Sequence, residues 1–437
     1  MKSIRRLFQK LLENEFVKSV AILVSGSSVS QIIVVLLTPL LTRLYTPEAF
    51  GVLSVYMSIV LTISIIASLH YEEAIPLPKR EEDAIHLLIL SFILLVLNTI
   101  IITLLLKGIE QPLLKMFHTK GLQEILLFIP FSLFGFGIFH LFEMWMIRQE
   151  DYLQITVGKV RMNLSQVFSQ SGLGWIIPSA SSLMVGEVLG RLVGGAGMAY
   201  VSWKSVKKKL SVFTLQSLLK IARRYIRFPL IASWSSLING LSQHLPTLFI
   251  ASQLGVKEAG WYFLALRILA LPDALIGHSV KQVYIGKSAK LLNGNFEGFV
   301  HLFWNTLKKM AILSIFIYLT IDIIAPFIFP IIFGDSWAEA SVFLQCLSIF
   351  FLFQLVIGPI SATFILLEEQ YLMALSEIIK LIVLVIGMVI AYLFLESSIG
   401  IVLLLSISQA VGSILFGLFA WIALKRNNYK IKAMKEA

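Results

Sequence analysis

The sequence predicts an all-α, polytopic membrane protein with about twelve transmembrane helices. The 437 residues are 57% hydrophobic, only 14% are charged, and the mean hydropathy is +0.86. Soluble globular domains carry about a quarter of their residues as charges, so this composition excludes a water-soluble protein. Apolar runs of about 20 residues, the length that crosses a bilayer, recur along the chain and are separated by short polar segments.

The apolar runs define the predicted spans in chain order. The first follows a basic amphipathic segment and is too long for a signal-peptide core, so we interpret it as an uncleaved anchor. The fifth is the richest in polar residues. The predicted spans are 17–41, 50–69, 85–106, 123–147, 153–176, 179–202, 227–252, 259–280, 307–329, 340–366, 372–395 and 398–424.

Positive charge is distributed unequally between the two sides of the membrane. With the N-terminus inside, 26 of the 36 Lys and Arg residues lie in cytoplasmic segments or in the first three residues of a span at its cytoplasmic end. Five lie in outer loops and five deeper within spans. Because positive residues are retained on the cytoplasmic side, both termini are predicted to be cytoplasmic. The same rule accounts for the net charge of +11 without nucleic acid as a partner.

The most basic loop, 203–226, divides the predicted spans into two groups of six. Its apolar residues recur at helical spacing among seven Lys and Arg residues, which predicts an amphipathic helix on the inner membrane surface. We therefore expect an N-terminal bundle at 1–202, this linker, and a C-terminal bundle at 227–437. Aligning Gly51 with Gly260 places similar turns in both halves, and two related halves are a common transporter plan.

Motifs for catalysis and cofactor binding are missing from the sequence. There is no G-x-x-x-x-G-K-[ST] loop for a nucleotide and no G-x-S-x-G turn for a nucleophile. The single cysteine, Cys346, excludes cysteine-based metal sites and intrachain disulfides, and the seven histidines show no metal-ligand spacing. We expect no enzymatic activity, no cofactor and no bound metal.

Predicted span five carries a file of polar side chains. Their spacing of 3, 4, 3 and 4 residues places them within about 80° on one helix face. Polar and charged side chains within spans usually face the protein interior or a water-filled cavity, so the file predicts a hydrated path. Hydrogen bonding between helices is the alternative. The five residues are Thr156, Lys159, Asn163, Gln166 and Gln170.

Both halves place further charges inside predicted spans. Several form pairs one helical turn apart, which are either cargo contacts or neutralised structural pairs. In span eight, Pro272 is expected to break the helix next to a charge, a common feature of transporter sites. The residues are the pairs Glu187–Arg191 and Glu377–Lys380, with Arg267 before the proline and Asp273 after it.

These patterns predict an interior suited to an anionic, hydroxyl-rich cargo. The cations predicted to bind that cargo are Lys159, Arg191, Arg267 and Lys380. Uncharged residues of spans one and seven are predicted to contact sugar hydroxyls: Gln31, Asn239 and Gln243. A histidine and a carboxylate that share a face near a membrane interface can carry protons. The candidates for ion coupling are His140, Glu143, Glu187, Asp273 and Glu377.

Three segments resemble the bacterial polysaccharide flippases, which translocate O-antigen and capsular units. The stretch Pro39–Gly51 is similar to their P-x-x-T-R-x-Y-x-P-x-x-F-G segment, and Tyr71–Pro78 is similar to their Y-E-x-A-I-x-L-P loop. Residues 271–283 resemble their eighth span. The resemblance implies membership of the multidrug/oligosaccharidyl-lipid/polysaccharide exporter superfamily, with two six-helix bundles forming a V and alternating access.

The resemblance also implies a cargo and a location. The cargo would be an oligosaccharide on undecaprenyl diphosphate, moved from the inner to the outer leaflet of the bacterial cytoplasmic membrane. Membrane lipid and the polymerase and chain-length proteins of the same pathway would be partners. Lipid II flippases carry arginines within their first span, whereas here that span has Ser, Thr and Gln until Arg43. This departure argues against lipid II as the cargo.

Two rival functions remain open. A multidrug or toxin exporter of the same superfamily would bind organic cations through interior carboxylates, but this interior carries more Lys and Arg than Asp and Glu, which argues against that function. A membrane polysaccharide polymerase or ligase would carry a long outer loop rich in Arg and His, and no such loop is present.

Overall fold

All regular structure in the protein is helical. The computed structural model describes residues 31–117, 122–207, 214–292 and 295–436, and no strand occurs in these ranges. Eight helices in this part of the chain are long and apolar enough to cross a membrane. The prediction of an all-α, multi-pass membrane protein is therefore confirmed. Helices dominate because a span in lipid must satisfy its own backbone hydrogen bonds.

The helices follow one another with short connections. In the first part of the chain they are α1 (described as Gln31–Leu44), α2 (Pro47–Ser64), α3 (Glu81–Phe117), α4 (Leu122–Arg148), α5 (Tyr152–Ile176), α6 (Ala180–Lys207) and α7 (Leu215–Arg224). In the second part they are α8 (Ser233–Gln253), α9 (Val256–Pro272), α10 (His278–Leu292), α11 (Phe296–Phe333), α12 (Ala338–Ile357), α13 (Thr363–Leu366), α14 (Gln370–Phe394) and α15 (Ser398–Glu436).

The predicted spans coincide with helices throughout the described residues. The eight apolar helices cover predicted spans two to four and eight to twelve. Spans five, six and seven coincide with α5, α6 and α8, which are less apolar because they contain the polar and glycine-rich segments. The first predicted span is described only from Gln31 onward, so its start at residue 17 lies outside the described residues.

The contacts divide the chain into two compact units. The first takes the described residues up to Tyr45 and Val55–Leu237, and the second takes Thr46–Ser54 and the chain from Ile238. Residues 227–237 thus belong to the first unit, whereas the sequence placed them at the start of the second half. One contact that holds them there joins His70 Nε2 and Ser236 Oγ at 3.0 Å.

Two glycines that the sequence repeat aligned lie against each other within the second unit. A Cβ atom on Gly51 would lie 1.6 Å from the Val256 carbonyl oxygen, and one on Gly260 would lie 1.9 Å from the Pro47 carbonyl oxygen. The first turns of α2 and α9 therefore cross at backbone distance, which only glycine permits.

Pro272 does not break the helix as predicted: α9 and α10 form one helical span, Val256–Leu292, in which only the hydrogen-bond pattern changes after the proline. A π-helical turn, Asp273–Gly277, separates α9 from α10. Proline lacks the N–H that would continue the ladder, and the Asp273 N–H bonds to Ala270 rather than to Leu269. The Tyr318 hydroxyl, from α11, donates to the Leu269 carbonyl at 3.2 Å and so satisfies that oxygen.

Candidate functional site: paired charges within the membrane helices

A three-residue charge cluster joins α4 and α5. Lys159 Nζ lies 2.8 Å from Glu143 Oε1, and His140 Nδ1 lies 3.5 Å from Glu143 Oε2. One carboxylate therefore holds two basic groups, one on its own helix and one on the next. The Lys159 side chain is 26% exposed, so the cluster reaches solvent-accessible surface of the first unit.

A second cluster joins α5 and α6 and is more deeply buried. The Arg191 guanidinium is paired with the Glu187 carboxylate one turn earlier, and the two side chains are 11% and 5% exposed. Gln166 donates a hydrogen bond to the other oxygen of Glu187. The Arg191 guanidinium also lies 4.9 Å from the centre of the Phe136 ring on α4, in the geometry of a cation–π contact.

The remaining members of the α5 file differ in their environment. Gln170 is fully buried, and its side-chain amide donates to the Leu183 carbonyl of α6 at 2.9 Å. Asn163 is also buried, whereas Thr156 is partly exposed. The file thus faces α4 and α6, and Gln170 bonds between helices. That the whole file lines a hydrated path stays a prediction.

Glycines on α6 explain how α5 and α6 approach so closely. Cβ atoms added at Gly186, Gly190 and Gly194 would lie 2.3 to 2.8 Å from atoms of Gln170, Gln166 and Met162. Small residues four apart let two membrane helices pack backbone to backbone. The sequence analysis missed this role, although the spacing in Gly-Glu-Val-Leu-Gly-Arg-Leu-Val-Gly is the signal that predicts it.

The second unit contains its own charge pair on α14. Lys380 Nζ lies 3.2 Å from Glu377 Oε2, as the i, i+3 spacing predicts, and 5.2 Å from the centre of the Phe416 ring on α15. Gly412 lies beside the Lys380 stem, where a Cβ atom would be 3.2 Å from its Cγ. The Glu377 side chain is buried and the lysine is partly exposed.

The π-helical turn after α9 positions a second carboxylate in this unit. Asp273 Oδ1 occupies space beside Gly277 and Gly358, whose Cβ atoms would lie 2.1 and 3.5 Å from it. Its basic neighbours are His278 and Lys281 on α10. Arg267 lies on α9 before the π-helical turn and is partly exposed.

The uncharged polar residues predicted to contact sugar lie at exposed or partly exposed positions. Gln243 Nε2 donates to Asn239 Oδ1 at 2.6 Å on α8, and Gln31 is exposed on α1. The structure thus brings Asn239 and Gln243 together as a pair of amides.

Comparison with known proteins identifies the family. The family described as "Polysaccharide biosynthesis protein" matches residues 40–342, which is more than half of the chain. The chain belongs to this family. Its resemblance to polysaccharide flippases is thereby confirmed.

One curated relative is the "Lipopolysaccharide biosynthesis protein WzxC" of Escherichia coli (strain K12). The chain is 25% identical to WzxC over 190 residues, which are 44% of the chain and 35% of WzxC. The match therefore spans about a third of the length of that relative.

Solved structures share the fold. A multidrug resistance MATE family transporter of the MOP superfamily, in an inward-facing conformation, matches with a TM-score of 0.74 and 16% identity over 91% of this chain and 95% of that one. The lipid II flippase MurJ, in an inward closed conformation, matches with a TM-score of 0.71 and 13% identity over 92% and 87% of the two chains. The chain thus has the fold of these transporters.

Glu72 is a buried group of this polysaccharide biosynthesis protein that the sequence analysis did not single out. It lies in a 3₁₀ turn, Tyr71–Ala74, is 5% exposed, and its Oε2 has no hydrogen-bond partner among the described residues. Burial raises the pKa of its carboxyl, an effect that the nearby His140 and His70 oppose and Glu73 reinforces. Glu72 is the glutamate of the Y-E-x-A-I-x-L-P resemblance, but nothing in that motif by itself indicates burial.

Arg148 fixes the segment that follows this turn. Its Nη1 donates to the carbonyl oxygens of Ile75, Pro76 and Pro78 at 3.2, 3.4 and 2.8 Å. One guanidinium at the end of α4 therefore holds the whole proline-containing segment. The turn that contains Glu72 immediately precedes this segment.

Proposed function

We propose that this protein flips an oligosaccharide carried on undecaprenyl diphosphate from the inner to the outer leaflet of the cytoplasmic membrane, for surface polysaccharide synthesis. The observation that carries the proposal is the presence of paired cations within the membrane helices of each unit. Membership of a polysaccharide biosynthesis family supports the same conclusion. Alternating access is the proposed mode of transport, and the polyprenyl tail stays in lipid.

A diphosphate can enter a membrane protein only if cations compensate its charge, because an unpaired buried charge is very costly. Lysine and arginine form strong charge-assisted hydrogen bonds with phosphate oxygens. Three of the four predicted cargo cations, Lys159, Arg191 and Lys380, each lie against a carboxylate. These carboxylates are Glu143, Glu187 and Glu377, which are also predicted to couple transport to ions.

This pairing makes each carboxylate a competitor of the cargo. A charged carboxylate pairs with the cation, and a diphosphate must displace the carboxylate in order to bind there. When the carboxylate binds a proton, the cation becomes available to the phosphate. We therefore expect that protonation of the carboxylate and binding of the diphosphate group favour each other.

The decisive experiment measures flipping by the purified full-length protein reconstituted in vesicles with a lipid-linked oligosaccharide. Lys159→Gln is expected to lower flipping by at least about tenfold, since one charge-assisted contact is worth about 1.5–3 kcal/mol. Lys287→Gln, which removes an exposed lysine from α10, is the matched control and should leave flipping unchanged.

The variant Glu143→Gln tests whether the Glu143 carboxylate competes with the diphosphate for Lys159. Glu143→Gln should increase binding of inorganic pyrophosphate, used as a probe for the diphosphate group, and should abolish the effect of pH on that binding. If Glu143→Gln weakens pyrophosphate binding, the competition mechanism is wrong. If Lys159→Gln and the control flip the cargo equally well, Lys159 does not belong to the cargo site.

Cells without the gene distinguish the rival functions. Undecaprenyl-linked units accumulating on the inner leaflet support the flippase. Sensitivity to cationic drugs with normal surface polysaccharide would favour a multidrug exporter, and a polymer of altered chain length would favour a polymerase.

A further inference from the structure

Helix α7 has no part in the proposed transport mechanism, yet its position is fixed. Leu218 and Ile221 are buried in an apolar cluster with Tyr71 and Trp145, and the Tyr71 hydroxyl donates to the Ala222 carbonyl at 3.0 Å. Thr214 caps the first turn by accepting a hydrogen bond from the Ser217 N–H. One face of α7 is therefore docked on the first unit, and the other faces are presented outward.

The outward surface begins with a row of exposed apolar side chains. The row starts on α7 and continues through the π-helical turn Phe228–Ala232 into the start of α8. Its members are Leu215, Leu219, Ile226, Leu230 and Trp234, which are 44 to 66% exposed. Large apolar side chains exposed at this density along one segment mark an interaction site.

Exposed cations lie directly beside this row. At 100° per residue, Leu215 and Leu219 occupy one sector of α7, and Arg223, Lys220 and Arg224 occupy the next sector, away from the buried face. Arg227 is exposed just after the helix. The chain has no Asp or Glu from residue 188 to residue 257, so nothing in this stretch of sequence neutralises the cations.

We propose that α7 and Arg227 form a binding site for the headgroups of anionic phospholipids. The apolar row enters the interface of the bilayer, and the four cations contact the phosphates above it, which is the arrangement of interfacial amphipathic helices. Charge complementarity identifies the occupant. Anionic headgroups attract a basic cluster next to the membrane, whereas neutral headgroups provide no net charge to attract the four cations.

The connections of α7 place it within reach of that interface. It lies between α6, which ends at Lys207, and α8, which starts at Ser233, and both coincide with predicted spans. A helix tethered between two membrane helices meets the headgroup region of the same bilayer. The site is independent of which molecule the protein transports, because none of its residues belongs to the predicted cargo site.

Native mass spectrometry of the full-length chain tests this site. The detergent-purified protein is mixed with equal amounts of phosphatidylglycerol and phosphatidylcholine, and the retained lipids are counted. The wild type should retain phosphatidylglycerol preferentially. The variant Arg223→Gln/Arg224→Gln should lose that preference by about fivefold for each charge removed. These side chains are exposed, so the fold should be unaffected, which thermal unfolding checks.

A matched control and two competitors complete the experiment. Lys287→Gln/Lys290→Gln removes two exposed lysines of α10 and should retain phosphatidylglycerol like the wild type. Arg223→Lys/Arg224→Lys keeps the charge and should also retain it. Inorganic phosphate should not displace the lipid. Equal retention by the Arg→Gln variant, displacement by inorganic phosphate, or displacement by a polyprenyl phosphate at equal concentration would each overturn the proposal.

Discussion

Arg191 and Lys159 are both paired with carboxylates, but the two pairs differ in burial. Arg191 and Glu187 are 11% and 5% exposed, whereas Lys159 and Glu143 are 26% and 16% exposed. Arg191→Ala should destabilise the protein by roughly 3–5 kcal/mol, because it leaves a buried carboxylate without its partner. Lys159→Ala should cost less than Arg191→Ala, because the Lys159 pair is more exposed and Glu143 keeps His140 as a partner. Thermal unfolding in detergent measures both values.

A double variant separates loss of the ion pair from loss of packing. Glu187→Gln/Arg191→Met removes both charges and should recover most of the stability lost in Arg191→Ala. If Arg191→Ala and Lys159→Ala lower the free energy of unfolding equally, the deeper burial of the Glu187–Arg191 pair makes no difference to stability. Loss of transport in Lys159→Ala can be interpreted as functional, whereas the same loss in Arg191→Ala requires the double variant.

Glu72 should make stability depend on pH. Its carboxyl lies outside the membrane spans, and burial raises its pKa above that of the unfolded chain. A raised pKa means that the folded state binds the proton more tightly, so the contribution to stability is lost as pH rises through the folded pKa. Glu72→Gln should therefore stabilise the protein at neutral pH. The gain should vanish below the ordinary carboxyl pKa of 4.5.

The neighbouring glutamate provides the control for this experiment. Glu73 is 42% exposed and pairs with His70 at 3.6 Å, so Glu73→Gln should change stability by less than about 1 kcal/mol. Unfolding curves recorded across pH for both variants are the measurement. A Glu72→Gln variant that is less stable than the wild type at neutral pH would mean that the charged carboxylate is stabilised in the fold.

At the scale of helices, the glycines of α6 determine how α5 and α6 pack. A Cβ atom on Gly190 would lie 2.8 Å from the Met162 carbonyl oxygen and 2.7 Å from the Gln166 Cβ. Gly190→Ala should push the helices apart and cost about 1–3 kcal/mol. It should also weaken the bond from Gln166 to Glu187. Unfolding and transport activity should therefore decline together.

Gly172 on α5 is the matched control, and the expected change has the opposite sign. Nothing lies within 4 Å of a Cβ atom at this position, so Gly172→Ala should stabilise the helix by about 0.5–1 kcal/mol through reduced backbone entropy. Similar changes in stability for the two variants would contradict close packing at Gly190.

For the whole molecule, the distribution of charge predicts the orientation in the membrane. With 26 Lys and Arg residues on one side and five on the other, both termini should be cytoplasmic. An alkaline phosphatase fused after Ala437, active only outside the cytoplasm, should be inactive, whereas a fusion within 107–122 should be active. An active C-terminal fusion would reverse the orientation and place the basic cluster of α7 on the outer surface.

The sequence was sufficient for the class of fold and for interactions within one helix. Composition and apolar run length predict helical spans because lipid offers no partner for unpaired backbone groups. The pairs Glu187–Arg191 and Glu377–Lys380 are present because residues three or four apart share a helix face. At Pro272 the sequence predicted a break, whereas the helix continues through a π-helical turn, because neighbouring groups satisfy the backbone that the proline leaves unpaired.

Contacts between helices were decided by the tertiary structure alone. Lys159 is paired with Glu143, and Gln166 with Glu187, only because α6 packs against both α4 and α5 and so brings the three helices together. The burial of Glu72 depends in the same way on which helices surround its turn. Helical periodicity gives the direction of a side chain on its own helix, but it carries no information about which helix lies opposite. That choice arises from the packing of the whole chain.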